Sequence, residues 1–364
     1  ASAPVRFEAL PEQLEAKSLL ASALAEGPAH AYLLHGPPGV GKRDLALLFA
    51  GELLGDHARV ARRSHPDLYL LEPLGDQIRI DDIRELRRDL HMRPFEASHR
   101  VYLVFGADTM NEDAADALLK DLEEPPPYAV ILLVANDVGP LPETIRSRCQ
   151  AVPFRRLSER AVREAIRAQA PELPDTEVTT LSRVAGGRLD RVARLLDPAA
   201  AKRREALLAV ARAVYLDPEF DAGDGAETLL AGIAERGVEA KEKAEESVAV
   251  LELSGREAEQ RVRRAQRGAE RDELLAVLEE LEWWYRDLVV LAAGAEAALV
   301  HVDRLEELRT DATLERLLGA EAACEAVRAA WRQAEELQLS TPLALEALLH
   351  RLRRALAGPA LSRV

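Results

Sequence analysis

Short apolar runs alternate with amphipathic stretches through residues 1–156 of the chain. The runs 32–34, 68–71, 101–105 and 129–135 show no polar alternation, as is typical of parallel strands buried on both faces. Between them, apolar residues recur at helical spacing. Strands that alternate with helices predict a doubly wound α/β domain with a parallel sheet, and any ligand would lie at the carboxyl ends of the strands.

Capping residues set the predicted helix starts in this domain. Residues 7–24 are predicted as one helix that has Leu14 on its buried face. Asp81 or Asp82 is expected to cap a second helix, and Asn111 is expected to cap a third.

From residue 157 onward the apolar pattern is helical. Residues 157–200 are predicted as a small helical lid whose first helix is capped by Ser158. Residues 205–364 are predicted as an all-helical domain, interrupted at the breaker-rich stretch 217–225. The charged stretch 238–273 is interpreted as a solvent-exposed helix pair, although its arginines leave DNA binding open.

Composition narrows the classes of function. The chain has 364 residues and 48% apolar residues, enough for sizeable cores, and its net charge of -15 favours protein partners over generic coating of nucleic acid. No apolar run approaches the roughly 20 residues that span a bilayer, so we expect a soluble cytoplasmic protein. Cys149 and Cys324 are the two cysteines. They cannot form a disulfide framework or a four-cysteine zinc site, and no metal is expected.

A glycine-rich segment joins the first predicted strand to a helix. It carries Gly36, Gly39, Gly41 and Lys42, the pattern of a loop whose backbone N–H groups and lysine bind phosphates. The next position normally holds Ser or Thr as a magnesium ligand, but here it is Arg43, which has no acceptor. We therefore expect weak ATP or ADP binding at most, and no hydrolysis.

Two motifs and a C-terminal pattern carry a family resemblance. Residues 117–126 read ALLKDLEEPP and residues 141–149 read LPETIRSRC, while residues 284–288 and 343–349 read WYRDL and LALEALL. With these motifs the chain resembles the clamp-loader subunits of the AAA+ class, and among them the delta prime subunits of bacterial DNA polymerase III. The resemblance implies an AAA+ P-loop domain, a helical lid and a C-terminal all-α collar domain.

The same resemblance identifies departures from an active ATPase. Working relatives carry two acids where this chain has Phe105 and Gly106. They carry an arginine sensor where it has Asp190, although a shift of the alignment by one residue would place Arg191 there. Asn136 takes the place of the polar sensor for the γ-phosphate. Asp108 lies past the strand and is interpreted as a turn or cap residue. The loss of both acids together with Arg43 implies degenerate Walker motifs without magnesium binding or water activation.

The resemblance also implies a role and partners. The chain would be a non-hydrolysing stator that assembles with gamma- or tau-like motor subunits and a delta subunit. Arg148 would act in trans on a neighbour's ATP, while the complex handles the sliding clamp and primer-template DNA. The zinc module of many relatives would be absent, because residues 55–64 are short and lack cysteine. Two alternatives remain open: an active gamma- or tau-like ATPase, and a DNA-binding AAA+ adaptor.

Overall fold

The structure is a computed structural model, and its described residues form two compact units. The described residues are 6–73, 77–249, 255–336 and 340–356. The first unit comprises Ala1–Leu173 and Gly186–Val192, and the second comprises Pro174–Ala185 and Ala193–Val364. Residues of the predicted lid therefore occur in both units, and the division into three domains at 1–156, 157–200 and 205–364 stays a prediction.

The first unit is built on a parallel sheet. Its strands are β1 (Ala31–His35), β2 (Leu68–Leu71), β3 (Arg100–Phe105), β4 (Ala129–Ala135) and β5 (Gln150–Pro153). Their order is β2-β3-β4-β1-β5, and every neighbouring pair is parallel. The parallel α/β fold is confirmed, and every residue of β3 and β4 is buried. The sequence pattern missed β5, which is short and half exposed.

Seven α-helices accompany this sheet within the described residues of the first unit. They are α1 (Leu14–Glu26), α2 (Lys42–Leu54), α3 (His57–Ala61), α4 (Ile80–Leu90), α5 (Glu112–Glu123), α6 (Glu143–Arg146) and α7 (Glu159–Gln169). Two predicted caps are confirmed. The Asn111 side chain accepts from the N–H of Ala114 at 3.0 Å, and Ser158 Oγ accepts from the N–H of Ala161 at 3.2 Å.

Two helix starts differ from prediction. The helix predicted over 7–24 was wrong in its first half: a 3-10 turn is followed by a break, because Glu12 and Gln13 both have positive φ. Leu14 opens α1 and is 79% exposed, not buried. Helix α4, for which Asp81 or Asp82 was the expected cap, is capped one turn earlier than expected. Asp82 lies at its third position and accepts from the backbone N–H of Arg79 at 2.9 Å.

The second unit is all-helical in its described residues, as predicted. Between α7 and this unit's longer helices come α8 (Asp175–Ala185) and α9 (Leu189–Leu196), followed by α10 (Pro198–Leu216), α11 (Ala222–Ala249), α12 (Gly255–Ala292), α13 (Leu305–Asp311), α14 (Leu314–Glu336) and α15 (Thr341–Leu356). The interruption predicted at 217–225 ends early. Gly225 lies inside α11, where an added Cβ would come within 2.9 Å of Phe220 and 3.0 Å of Leu349, so close packing explains this glycine.

Helix length and apolarity also bear on membrane insertion. Across the described ranges, no helix is both long enough and apolar enough to cross a bilayer.

Candidate functional site

The glycine-rich loop lies at the carboxyl end of β1 and leads into α2. Gly36, Gly39 and Gly41 have φ values of 137°, 67° and 91°, which glycine adopts without the strain of a side chain. A Cβ on Gly36 would also overlap the carbonyl oxygen of Phe154. The backbone therefore has the sharp turns of a phosphate-binding loop, and Gly41 caps the helix whose N-terminus favours anions.

Lys42 is turned into this loop. Its side chain is buried, and Nζ donates to the carbonyl oxygens of Gly36 and Pro37. Burial lowers the pKa of Lys42 to about 8, although the negative charges of Asp108 and Asp190 act in the opposite direction. A phosphate that binds here would have to replace the two carbonyl contacts of the ammonium group.

Arg43 and Phe105 are in contact with each other. The family resemblance aligns both positions with metal-site groups of an active ATPase. The guanidinium carbon of Arg43 lies 4.1 Å from the centroid of the Phe105 ring, a cation–π arrangement. Arg43 also forms an ion pair with Glu72. Neither a guanidinium nor a phenyl ring can ligate magnesium. The residues at this position therefore do not fit a magnesium ion.

The other described residues also bear on metal binding. Throughout the described part of the chain, no group of three or more His, Cys, Asp or Glu side chains is arranged to hold a metal ion.

Asp108 joins the ends of two strands. It lies in a 3-10 turn just after β3, and Oδ2 accepts from the backbone N–H groups of Asn136 and Asp137, each at 3.1 Å. The expectation of a turn residue is met, but its side chain binds the loop after β4 and does not cap its own turn. Asn136, the expected sensor, is exposed at the end of β4. The two residues are therefore adjacent at the sheet edge that carries Lys42's loop.

Asp190 reaches the phosphate loop directly. A Cβ on Gly39 would overlap its carboxylate, and the N–H of Leu189 donates to the carbonyl of Gly39 at 2.7 Å. Arg188 donates to both Asp190 oxygens, at 3.1 and 2.6 Å. Burial by itself would raise the pKa of Asp190, but Arg188 together with the N–H and charge of Arg191 holds that pKa below its usual value. A carboxylate therefore lies at the loop where active relatives are expected to present a cation.

Arg148 lies apart from these loop contacts, at the end of α6. Its Nη1 donates to the carbonyl of Thr144 at 2.9 Å and its Nη2 pairs with Glu123 at 2.5 Å, while the side chain remains one-third exposed. Burial raises the pKa of the adjacent Cys149 to about 12. This thiol is therefore not a nucleophile at neutral pH.

Sequence reasoning missed two residues of the site. Glu72 directly follows β2, so its place at the carboxyl edge of the sheet could have been found from the strand prediction. Arg188 precedes Asp190 by two residues, and its ion pair depends on the local backbone turn, for which the sequence carries no clear signal.

The sheet, the phosphate loop and the helical second unit define an AAA+-type fold. A gamma subunit-related protein of DNA polymerase III from Thermotoga maritima has a similar solved structure, with a TM-score of 0.50 and 18% identity, covering 93% of this chain and 99% of that one.

Residues 12–158 match the family model described as "DNA polymerase III, delta subunit". DNA polymerase III subunit delta' of Bacillus subtilis is 34% identical over 150 residues, which are 38% of this chain and 46% of that one. The delta' subunit of Pseudomonas aeruginosa is 39% identical over 143 residues, 35% of this chain and 44% of the relative. The chain thus spans about half the length of these relatives, and it is similar to delta' subunits over that part.

Proposed function

We propose that this chain is a non-hydrolysing subunit of a DNA polymerase III-type clamp loader. It would assemble with gamma- or tau-like motor subunits and a delta subunit, and the complex would place a sliding clamp on primer-template DNA. The delta' names of the matched relatives support this assignment. A relative named DNA polymerase III subunit tau, 28% identical over 214 residues, supports motor subunits of the same family as partners.

The contact between Arg43 and Phe105 is the observation that carries the non-hydrolysing role. Both residues stand where magnesium ligands are needed, and each contributes to a packed pair in place of a metal site. Without the metal, neither the charge on the phosphates nor the attacking water is controlled. This favours a stator over the alternative of an active gamma- or tau-like ATPase.

Arg148 is the proposed chemical contribution of the chain. Placed on the γ-phosphate of a neighbouring subunit's ATP, its guanidinium would stabilise charge that develops in the transition state. It would first have to leave Glu123. That pair is about one-third to one-half exposed, and such surface pairs contribute about 1 kcal/mol or less. The arginine can therefore be released at little cost when a partner binds.

The test is an Arg148→Ala variant assembled with motor and delta subunits. Trans-acting arginines accelerate phosphoryl transfer by about 10³ to 10⁵, so we expect a loss of about that size at the adjoining motor site. The other motor sites should be disabled, and ATPase should be measured with clamp and primed DNA. The complete variant should still co-elute with its partners.

The matched control is Arg146→Ala, which removes the side chain of the last residue of α6, two positions before Arg148, and also breaks an ion pair, with Glu143. It should leave the rate unchanged. Glu123→Gln, which frees the guanidinium of Arg148, should also retain the rate. An unchanged rate in Arg148→Ala, or an equal loss in the Arg146 control, would refute the role. Magnesium-dependent turnover by the isolated chain that disappears in Lys42→Ala would refute the non-hydrolysing assignment.

A further inference from the structure

The first half of α12 carries a row of arginines on one side. We define the arginine stripe as Arg263, Arg264, Arg267 and Arg271. We propose that this stripe is a binding surface for the phosphate backbone of duplex DNA. The proposal concerns the isolated chain and does not rest on the proposed clamp-loader role.

Helix geometry places the stripe away from the packed side of α12. At about 100° per residue, its four positions fall within an arc of about 100°. Between residues 263 and 273, the buried residues Ala269 and Glu273 mark the packed side. That side is centred about 150° around the axis from the stripe. Arg263, Arg264 and Arg267 are exposed and Arg271 is partly buried, so the stripe faces solvent at its first three positions.

The stripe is locally basic although the whole chain has a net charge of -15. No Asp or Glu between residues 258 and 272 falls inside its arc. Arg264 and Arg267 are exposed, and neither forms an ion pair with any residue that the structure describes. Arg263 pairs with Glu259 on the same helix, but its side chain is 69% exposed. Arg263, Arg264 and Arg267 are therefore available to an anionic ligand.

A glycine inside this region is the second, independent observation. Gly268 lies in the middle of α12, between Arg264 and Arg271, where glycine destabilises a helix relative to alanine. An added Cβ at Gly268 would meet nothing within 4 Å. No packing within the chain therefore requires the glycine. Close approach of an external backbone is one of the uses of glycine, and it explains why this position lacks a side chain.

The chemistry of the stripe favours phosphate over an acidic protein. Arginine binds phosphate oxygens through two parallel hydrogen bonds. Protein interfaces usually need apolar anchors at their centre, whereas the stripe positions are all arginine. From 263 to 271 the stripe is about 12 Å long, and each DNA strand presents one phosphate per about 3.4 Å of axis. Several phosphates thus lie within its reach.

The test is fluorescence anisotropy of the full chain with a labelled duplex of arbitrary sequence, titrated at about 50 to 200 mM salt. If three or four phosphates are contacted, log K should fall with log salt at a slope of about -3. The double variant Arg264→Gln/Arg267→Gln should weaken binding roughly tenfold or more and reduce the slope by about 2. The matched control is Arg160→Gln/Arg163→Gln, two exposed arginines on α7, which should bind as the original chain does.

A variant that keeps the net charge distinguishes direct contact between DNA and the stripe from long-range electrostatic attraction of DNA to the chain. Gly268→Leu adds a side chain beside the arginines, so it should weaken DNA binding while circular dichroism shows the helix retained. Unchanged binding by Gly268→Leu, an equal loss in the α7 control, or no binding at about 50 mM salt would each overturn the proposal. Displacement of DNA by polyglutamate at equal charge would overturn it in favour of an acidic protein partner.

Discussion

At the scale of single residues, Arg43, Phe105 and Glu72 form one packed arrangement. The sequence allowed Arg43 and Phe105 to be identified individually as residues that cannot bind magnesium. Their contact could not be predicted, because they are 62 positions apart and meet only when β3 lies beside the helix that follows β1. Glu72 was missed although its position directly after β2 places it at the same edge of the sheet. The sequence thus predicted that each residue cannot bind magnesium. The contacts between these residues could be identified only from the folded structure.

The first prediction is an energetic coupling between Arg43 and Phe105. Because the Arg43 side chain is 44% exposed, we expect a cation–π contribution of about 0.5 to 1 kcal/mol. A double-mutant cycle of Arg43→Gln and Phe105→Leu, measured by denaturant unfolding, should give this coupling. The control cycle pairs Phe105→Leu with Arg62→Gln, an exposed arginine at the end of α3, and should be additive. Additivity in both cycles would show that the ring contact contributes nothing.

At the scale of elements, α12 combines a predicted core with an unpredicted row of acids. Trp284 and Tyr285 are fully buried, as the aromatic pattern indicated. Glu273, Glu280 and Asp287 recur every seven residues and are also buried. Hydrophobic periodicity assigns acids to the solvent side of a helix. The sequence pattern therefore placed residues 238–273 in a solvent-exposed helix pair.

Arginines of other helices explain how these acids are tolerated. Arg194 pairs with Glu273 at 2.9 Å, and Arg204 pairs with Glu280. Buried charges need such partners, and loss of one partner leaves the other charge uncompensated. These pairs depend on how α9 and α10 lie against α12. Their existence therefore could not be predicted from α12 alone.

The second prediction concerns His301, which is fully buried between two of these acids. Its Nδ1 lies 2.8 Å from Asp287 and its Nε2 lies 3.2 Å from Glu280. Burial lowers the pKa of His301, but hydrogen bonds and charge from both carboxylates outweigh burial and raise it. A raised folded-state pKa means that the protonated ring stabilises the fold fully below about pH 6.5, the unfolded value. That stabilisation is lost as pH rises through the folded pKa.

Denaturant unfolding followed by tryptophan fluorescence measures this effect, because the Trp284 ring lies 5.4 Å from the His301 ring. The free energy of unfolding of the original chain should fall as pH rises from about 6.5. His301→Gln should be less stable below that pH and should have a flatter profile. His350→Gln, an exposed histidine on α15, is the control and should retain the original slope. An equal slope in His301→Gln would exclude the ring as the titrating group.

At the scale of the whole molecule, the two units have separate hydrophobic cores. The clusters on the two sides of the sheet contain buried residues between positions 7 and 154, whereas the helical cluster contains buried residues between 207 and 356. The sequence predicted the sheet well, because continuous apolar runs identify buried parallel strands. For the second unit, the sequence predicted only that the domain is all-helical, and it did not predict how the helices pack. Helix packing there depends on tertiary contacts such as the fit of Gly225 against Leu349, which leave no periodic signal.

The third prediction uses this separation of cores. If the helical unit drives assembly, removing residues 205–364 should leave a first unit that keeps its own core but no longer joins the complex. Circular dichroism and cooperative unfolding should show that the truncated chain folds, and size-exclusion chromatography with motor and delta subunits should show that it elutes alone. The full-length Arg148→Ala variant is the control and should co-elute, because it changes a surface arginine and leaves both cores intact. Stoichiometric co-elution of the folded, truncated chain would place the assembly surface in the first unit and exclude the collar role of the second.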